Sequence, residues 1–260
     1  MKNIILTLSC LVQITLFGQQ SDYFNGKRTY CDKPTDERSL KIFDLGIETI
    51  KRNTNIGAGN QIFHELIQKD STFCDAYFFA GYTYRLSGMN KEAVVYYYMA
   101  DSLAQNKSIE FKQNLATTSM MVGLTDLSRK KFEEITEYFP NSPEGYYGVA
   151  LTSTEIGDYN NGLVNIDIAI NKYQKDNKDA QFLKAILLTL NSKHQEALAY
   201  YEKVESAYRR DDYFNGNYAL SLYEVSKLTD DDSMMKKAKK HYRNVKNKNE
   251  LTSYIKDKFE

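Results

Sequence analysis

Apolar and small side chains recur along this chain at i, i+4 and i+7, the spacing that puts three residues on one face of an α-helix. Ala93, Tyr97 and Ala100 form one set. Ser128, Phe132 and Ile135, then Gly162, Ile166 and Ala169, then Ala197, Tyr201 and Val204 form the next three. Successive sets are offset by 35, 34 and 35 residues. Five residues before each first member stands Gly88, Gly123, Gly157 or Ser192, and twelve before it stands Gly81, Ala116, Ala150 or Ala185. A repeat of this length holds two helices of three to four turns with short links, so the pattern predicts one helix pair per repeat. Each glycine falls where the first helix must stop, and glycine reaches the left-handed conformation that ends a helix. The small residues let two helix backbones approach, and Tyr97, Phe132 or Tyr201 fills the space beside them. Pro140 is placed to end a second helix, and Pro143 to open the next first helix.

The template extends in both directions. One repeat earlier it meets Ile47 at the small position, then Gly59, Phe63 and Leu66, which predicts a degenerate first unit over residues 40–73. Units at 74–108, 109–142 and 143–177 follow. Later it meets Ala219, while Ala238, Tyr242 and Val245 keep the spacing but arrive seven residues late, after a polar loop from Leu228 to Ser233. The last unit is therefore read as 178–248, with Leu251, Tyr254, Ile255 and Phe259 at helical spacing in a terminal cap over 249–260. Such a cap is expected because a stack of repeats exposes an apolar face at each end.

The small residue, the glycine and the A-x3-F-x2-A element, as they stand at Gly81, Gly88 and Ala93-Tyr97-Ala100, resemble the tetratricopeptide repeat. The tryptophan-like position departs from that pattern, being Tyr77 or Tyr146 but Lys112 and Gln181 elsewhere, and the closing proline occurs only at Pro140. The resemblance implies an all-α, right-handed α-solenoid of about five helix-turn-helix repeats with a C-terminal capping helix. It also implies a concave face lined by the first helices, where an extended peptide or a partner helix lies. The template positions facing that groove are Phe78, Tyr82 and Arg85; Gln113, Thr117 and Met120; Tyr147, Leu151 and Thr154; and Phe182 and Ile186. Aromatics and an arginine among uncharged polar groups are enriched at protein interfaces. The alternative is that several of these side chains pack in the core of the next repeat. The lysine and asparagine clamp of cochaperone members is absent: Phe78 and Tyr82, or Gln113 and Thr117, stand in the comparable places.

Residues 1–20 carry Lys2, an apolar run from Ile4 to Phe17, then Gly18. That layout predicts a secretory signal peptide cut near Gly18 or Gln20, followed by an arm over 21–39, and the run is too short to span a bilayer. Lipidation at Cys10 is not expected, since Leu11 to Phe17 would remain as an apolar stub. The expected location is the periplasm or surface of a Gram-negative bacterium, where a chain of this size resembles adaptor proteins of cell-envelope assembly. In an oxidising compartment Cys31 and Cys74 are either a disulfide or two independent buried thiols, and the sequence leaves both open.

Composition narrows the partner. Thirty-four basic residues balance thirty-four acidic ones, so no global field points to nucleic acid or to an anionic membrane. The chemistry-bearing residues are scattered. His64, His194 and His241 have no second ligand at metal spacing, and no HExxH, phosphate loop, GxSxG elbow or dinucleotide turn is present. No enzyme activity, cofactor or metal is expected. Asp230, Asp231 and Asp232 are read as caps on the helix that follows. That helix carries Lys236, Lys237, Lys239, Lys240, Arg243, Lys246 and Lys248 about an apolar line of Met235, Ala238, Tyr242 and Val245. It is read as a solvated face on a capping element, the alternative being an electrostatic foot for an anionic surface. The pentapeptide DYFNG at Asp22 and again at Asp212 is read as coincidence.

The functional expectation is a non-enzymatic adaptor whose concave face binds a segment of another envelope or secretion protein. The alternative is a module for a glycan or cell-wall fragment on the surface around Tyr96, Tyr97 and Tyr98. Tyr97 belongs to the repeat core, which thins that alternative.

Overall fold

The computed structural model describes Cys31, residues 36–51 and residues 55–260. The proposed signal peptide and most of the arm, with the first DYFNG copy, lie outside the described residues. The described residues form helices α1 (Glu37–Lys51), α2 (Ile56–Lys69), α3 (Cys74–Leu86), α4 (Asn90–Ala104), α5 (Ile109–Met121), α6 (Thr125–Tyr138) and α7 (Pro143–Ile156). Then come α8 (Tyr159–Lys172), α9 (Lys178–Leu190), α10 (His194–Tyr208), α11 (Asp212–Thr229) and α12 (Asp232–Asn244), a 3-10 turn (Lys248–Glu250) and a one-turn α13 (Ser253–Lys256). No strand occurs among the described residues, and none of these helices is long and apolar enough to cross a membrane. The architecture is all-α and built of consecutive helix pairs.

The same device links five of the helix pairs, once at Asp230 (φ +54°), where the Asp231 N–H donates to Ser226 O at 3.1 Å, and four times in register with the repeat. Gly88, Gly123, Gly157 and Ser192 sit at φ +76°, +79°, +81° and +58°, the left-handed region. The residue after each one donates its N–H back across the turn: Met89 to Tyr84 O, Leu124 to Ser119 O, Asp158 to Ser153 O and Lys193 to Leu188 O, at 2.8–3.1 Å. This is the Schellman ending, which satisfies carbonyls that the stopped helix would otherwise leave open. Gly81 serves closeness instead. A Cβ there would stand 2.9 Å from the Tyr97 ring and 3.2 Å from the Ala93 carbonyl, so α3 and α4 touch backbone to side chain only because the position is bare. Pro140 follows the end of α6, and Pro143 is the first residue of α7.

Six pairs are present in the described residues where the spacing suggested about five. The span 178–248 holds two of them, α9/α10 and α11/α12. The cause is the length of α11, which runs for 18 residues against 13 in α3, α5 and α9. Those five extra residues make up most of the seven by which Ala238 and Tyr242 fall out of register with the earlier copies.

The described chain falls into two compact units, one ending at Gly145 and one covering Tyr146–Glu260. In the first, Phe43, Phe63, Phe73 and Phe79 pack ring against ring at 4.9–5.9 Å. Cys31 is joined to Cys74 by a disulfide with the Cα atoms 5.8 Å apart, and Asp75 Oδ2 accepts from the Cys31 N–H at 3.3 Å. Cys31 is thereby fastened to the start of α3.

In the second unit, Tyr201 stacks on Tyr218 at 5.0 Å and meets Phe214 edge-on at 5.6 Å, both rings lying fully inside. The chain end closes over α11 and α12. Asp212 accepts the backbone N–H groups of Lys246 and Asn247 at 3.0 and 2.8 Å, which turns the chain back after α12. Leu251 and Ile255 then bury beside Ala219, Leu220 and Tyr242, and Phe259 stacks on Tyr242 at 4.5 Å. The expected cap is thus a turn and a single helical turn, with Tyr254 left facing water.

Candidate functional site

The first helices carry the residues that the repeat template aims at a groove. In the unit ending at Gly145, Phe78 of α3 lies between Tyr97 and Phe111, stacking on the latter at 4.6 Å. Tyr82, one turn on, lies under the Arg85 guanidinium at 5.2 Å from ring centre to Cζ. Arg85 also donates from Nε to the Tyr97 hydroxyl at 3.3 Å. Burial pushes that phenol up to about 12, so it stays protonated and available as an acceptor at neutral pH. On α5, Gln113 and Thr117 are buried and Met120 is half-buried. The Gln113 Oε1 has no hydrogen-bond partner. A shielded acceptor left unpaired costs about 1–3 kcal/mol relative to a satisfied one.

In the unit from Tyr146, Tyr147, Leu151 and Thr154 of α7 are buried, and the Thr154 hydroxyl donates to the Leu151 carbonyl at 2.7 Å. On α9, Ile186 is fully enclosed and Phe182 is set among Tyr201, Tyr208, Tyr213 and Phe214 with ring centres 4.6–6.3 Å away. Phe182 is therefore a pillar between α9, α10 and α11. Of the eleven template positions, Arg85 and Met120 are those with appreciable contact with solvent.

Several polar constellations stand where the spacing did not point. Lys112, at the tryptophan-like position of its repeat, sends Nζ to Asp101 Oδ1 at 3.1 Å and to Glu134 Oε2 at 2.5 Å, and Lys131 Nζ reaches the same two carboxylates at 2.7 and 2.8 Å. Burial alone would lower the Lys131 pKa, but the two carboxylates outweigh it and hold it above the ordinary lysine value. Burial likewise would raise Glu134, but hydrogen bonds from Lys112 and Lys131 hold it below the usual carboxylate range. These contacts keep Lys131 and Glu134 ionised, and the group joins α4, α5 and α6. The signal for it was Lys112 in a position that asks for a large apolar ring.

A second cluster sets Tyr84 and Tyr96 face to face at 5.1 Å, with His64 edge-on to both and bonded to the Tyr84 hydroxyl at 3.0 Å. Tyr96 is thereby occupied by its neighbours, while Tyr98 stands exposed.

None of these groups has the form of a catalytic centre. His194 Nδ1 is 3.4 Å from Ser221 Oγ, but that hydroxyl is fully enclosed and bonded to Thr189, which is bonded in turn to Tyr201, each at 2.9 Å. His241 Nδ1 meets Asn215 Oδ1 at 2.9 Å and its Nε2 is 3.5 Å from Glu205. Cys31, Cys74 and Asp75 bring three metal-type ligand atoms within 4.8 Å of one another, but the two sulfurs are bonded to each other and offer no thiolate. Asp231 caps α12 as the sequence suggested, accepting from the Ser233 and Met234 N–H groups at 2.8 and 3.0 Å, whereas Asp230 ends α11 in the left-handed conformation and Asp232 is the first residue of α12.

No protein-family model matches the sequence, and no curated protein matches it. The fold does match solved structures. A tetratricopeptide repeat protein from Parabacteroides merdae aligns with a TM-score of 0.62 at 14% identity, covering 86% of this chain and 98% of its own. MamA from Desulfovibrio magneticus aligns with a TM-score of 0.61 at 12% identity, over 69% of this chain and 99% of its own. YrrB, described as a TPR protein with an unusual peptide-binding site, aligns with a TM-score of 0.59 at 15% identity, over 72% and 92%. With the four-fold Schellman register, these likenesses make the chain a tetratricopeptide-type repeat protein by fold.

Proposed function

We propose that this chain is a non-enzymatic interaction scaffold of the cell envelope, holding a segment of another envelope or secretion protein along the first helices of its repeats. The observation that carries the reading is the Gln113 carbonyl on α5, shielded and unpaired two helical turns before Met120, a side chain that reaches solvent. An extended segment presents backbone N–H groups at regular intervals, and one of them would satisfy that acceptor once the Gln113 side chain turns outward. Arg85, lying over Tyr82, and Met120, unbranched and adaptable, give such a segment a planar cation and a soft apolar contact. The fold shared with YrrB, which its description credits with a peptide-binding site, supports the same reading.

The glycan alternative draws on exposed tyrosine rings, and the pairing of Tyr96 with Tyr84 and His64 leaves it Tyr98 alone in that stretch. A display selection of extended peptides, run beside an array of cell-wall oligosaccharides on the same immobilised full chain, separates the two. Peptides that lose affinity in Gln113→Leu and Arg85→Ala support the scaffold reading. Oligosaccharide binding that is lost in Tyr98→Ala, with no peptide selected, would replace it.

A further inference from the structure

Helix α12 carries five Lys and Arg residues in its 13 residues, and no other described helix carries more than three. Their arrangement is directional. At 3.6 residues per turn, Ala238, His241 and Tyr242 share one side and are the buried residues of the helix. Lys236, Lys239, Lys240 and Arg243 fall on the opposite side, and all four are exposed. Lys237, between the two sides, is engaged by the Tyr218 hydroxyl and lies 3.4 Å from Glu202. Among the described residues no carboxylate lies within ion-pair reach of the four outward cations. Like charges three and four residues apart on one helix repel each other, and the helix dipole offsets this only in the last turn. A whole chain of zero net charge thus gathers unneutralised cations on one ridge.

We propose that this ridge docks on an anionic lipid surface, its ammonium and guanidinium groups resting on headgroup phosphates. Two features favour a lipid surface over a polymer. The ridge is the convex side of a helix and has no groove for a chain to lie in. It carries no aromatic ring between its cations, so it offers no stacking platform for single-stranded nucleic acid. The apolar side of α12 is occupied by α11, so the helix cannot insert and the contact is electrostatic and reversible. Leu228, at 85% the most exposed large hydrophobic side chain among the described residues, stands near the end of α11 just before the loop into α12.

The test uses the full chain with sedimenting vesicles of phosphatidylcholine alone and of phosphatidylcholine mixed with phosphatidylglycerol. Comparing the two surfaces removes any charge-independent adherence of the apolar N-terminal stretch. Preference for the anionic vesicles, lost in high salt, is expected. Each pair of cations removed, Lys236→Ser with Lys240→Ser and then Lys239→Ser with Arg243→Ser, should weaken binding about tenfold or more, with an unchanged melting temperature showing that the fold survives. Equal binding to both vesicles, or binding indifferent to all four changes, would overturn the proposal. Capture of soluble polyglutamate without vesicle binding would also overturn it, in favour of an acidic polypeptide partner.

Discussion

Lys112 Nζ lies 3.1 Å from Asp101 Oδ1, and both side chains are almost completely closed off from solvent. A lysine there takes the place of a large ring, its stem filling the space and its charge answered by Asp101 and Glu134. Breaking such a pair leaves a buried charge with fewer partners. Lys112→Ala is therefore expected to lower stability by about 3–5 kcal/mol. Because Asp101→Ala removes the other side of the same contact, the double variant should lose clearly less than the sum of the single losses. Denaturant unfolding of the four proteins in the cycle checks this, and additive losses would refute the coupling.

The bond from Cys31 to Cys74 closes a loop across a sequence separation of 43 residues. In the chain-entropy model a loop of that size stabilises by about 3–4 kcal/mol. Reduction, or Cys31→Ser, should therefore lower the melting temperature, and reductant should have no further effect on the variant. Equal melting with and without reductant in the parent would contradict the assignment.

The four turns in register with the repeat predict opposite signs for similar substitutions. Ser192 holds φ +58° with a side chain, so Ser192→Gly should stabilise, whereas Gly88→Ala or Gly123→Ala should destabilise by about 1–2 kcal/mol. No neighbouring atom lies within 4 Å of a Cβ placed at Gly88 or Gly123, so the loss would be conformational and not steric. Thermal unfolding of the three single variants reads the signs directly.

Burial lowers the pKa values of His64, His194 and His241 below 6.5. At His241, Glu205 acts in the opposite sense while Lys237 and Lys240 add to the lowering. The unfolded chain then binds more protons than the folded one as pH falls through that value. The contribution is fully present above about pH 6.5 and is lost progressively below it. Melting temperature should drop between about pH 7.5 and pH 5.5, and His241→Gln should flatten the slope. A slope of opposite sign, or one that the variant leaves unchanged, would show that the histidines do not control it.

The repeat was legible because close helix packing admits few residue types at the crossing points. Gly81 under Tyr97, and the left-handed residue at Gly88, Gly123, Gly157 and Ser192, are demands of geometry that the sequence must meet at fixed intervals. The first repeat blurred because its close contact is made by Gly46 against the Phe63 ring, one residue from the position the template selected at Ile47. The sixth pair was hidden by the added length of α11. The site was harder to read for a different reason. A first-helix position that faces outward in a single pair can be covered by the pair that follows, which is what Tyr213 and Phe214 of α11 do to Phe182. Spacing within one repeat does not register that cover. Nor does it reveal charge networks such as Asp101 with Lys112 and Lys131, whose members lie on three helices.

The central claim, that the first-helix face holds a polypeptide segment, is tested most directly by placing a photo-crosslinking residue at Arg85 or Met120 of the full chain in its native cells. Val164, exposed on the second helix α8, serves as the control position. The account predicts one polypeptide joined through a contiguous segment from both first-helix positions, absent from the Val164 control and reduced by Gln113→Leu. Adducts that form equally from Val164, or that persist unchanged in Gln113→Leu, would contradict it.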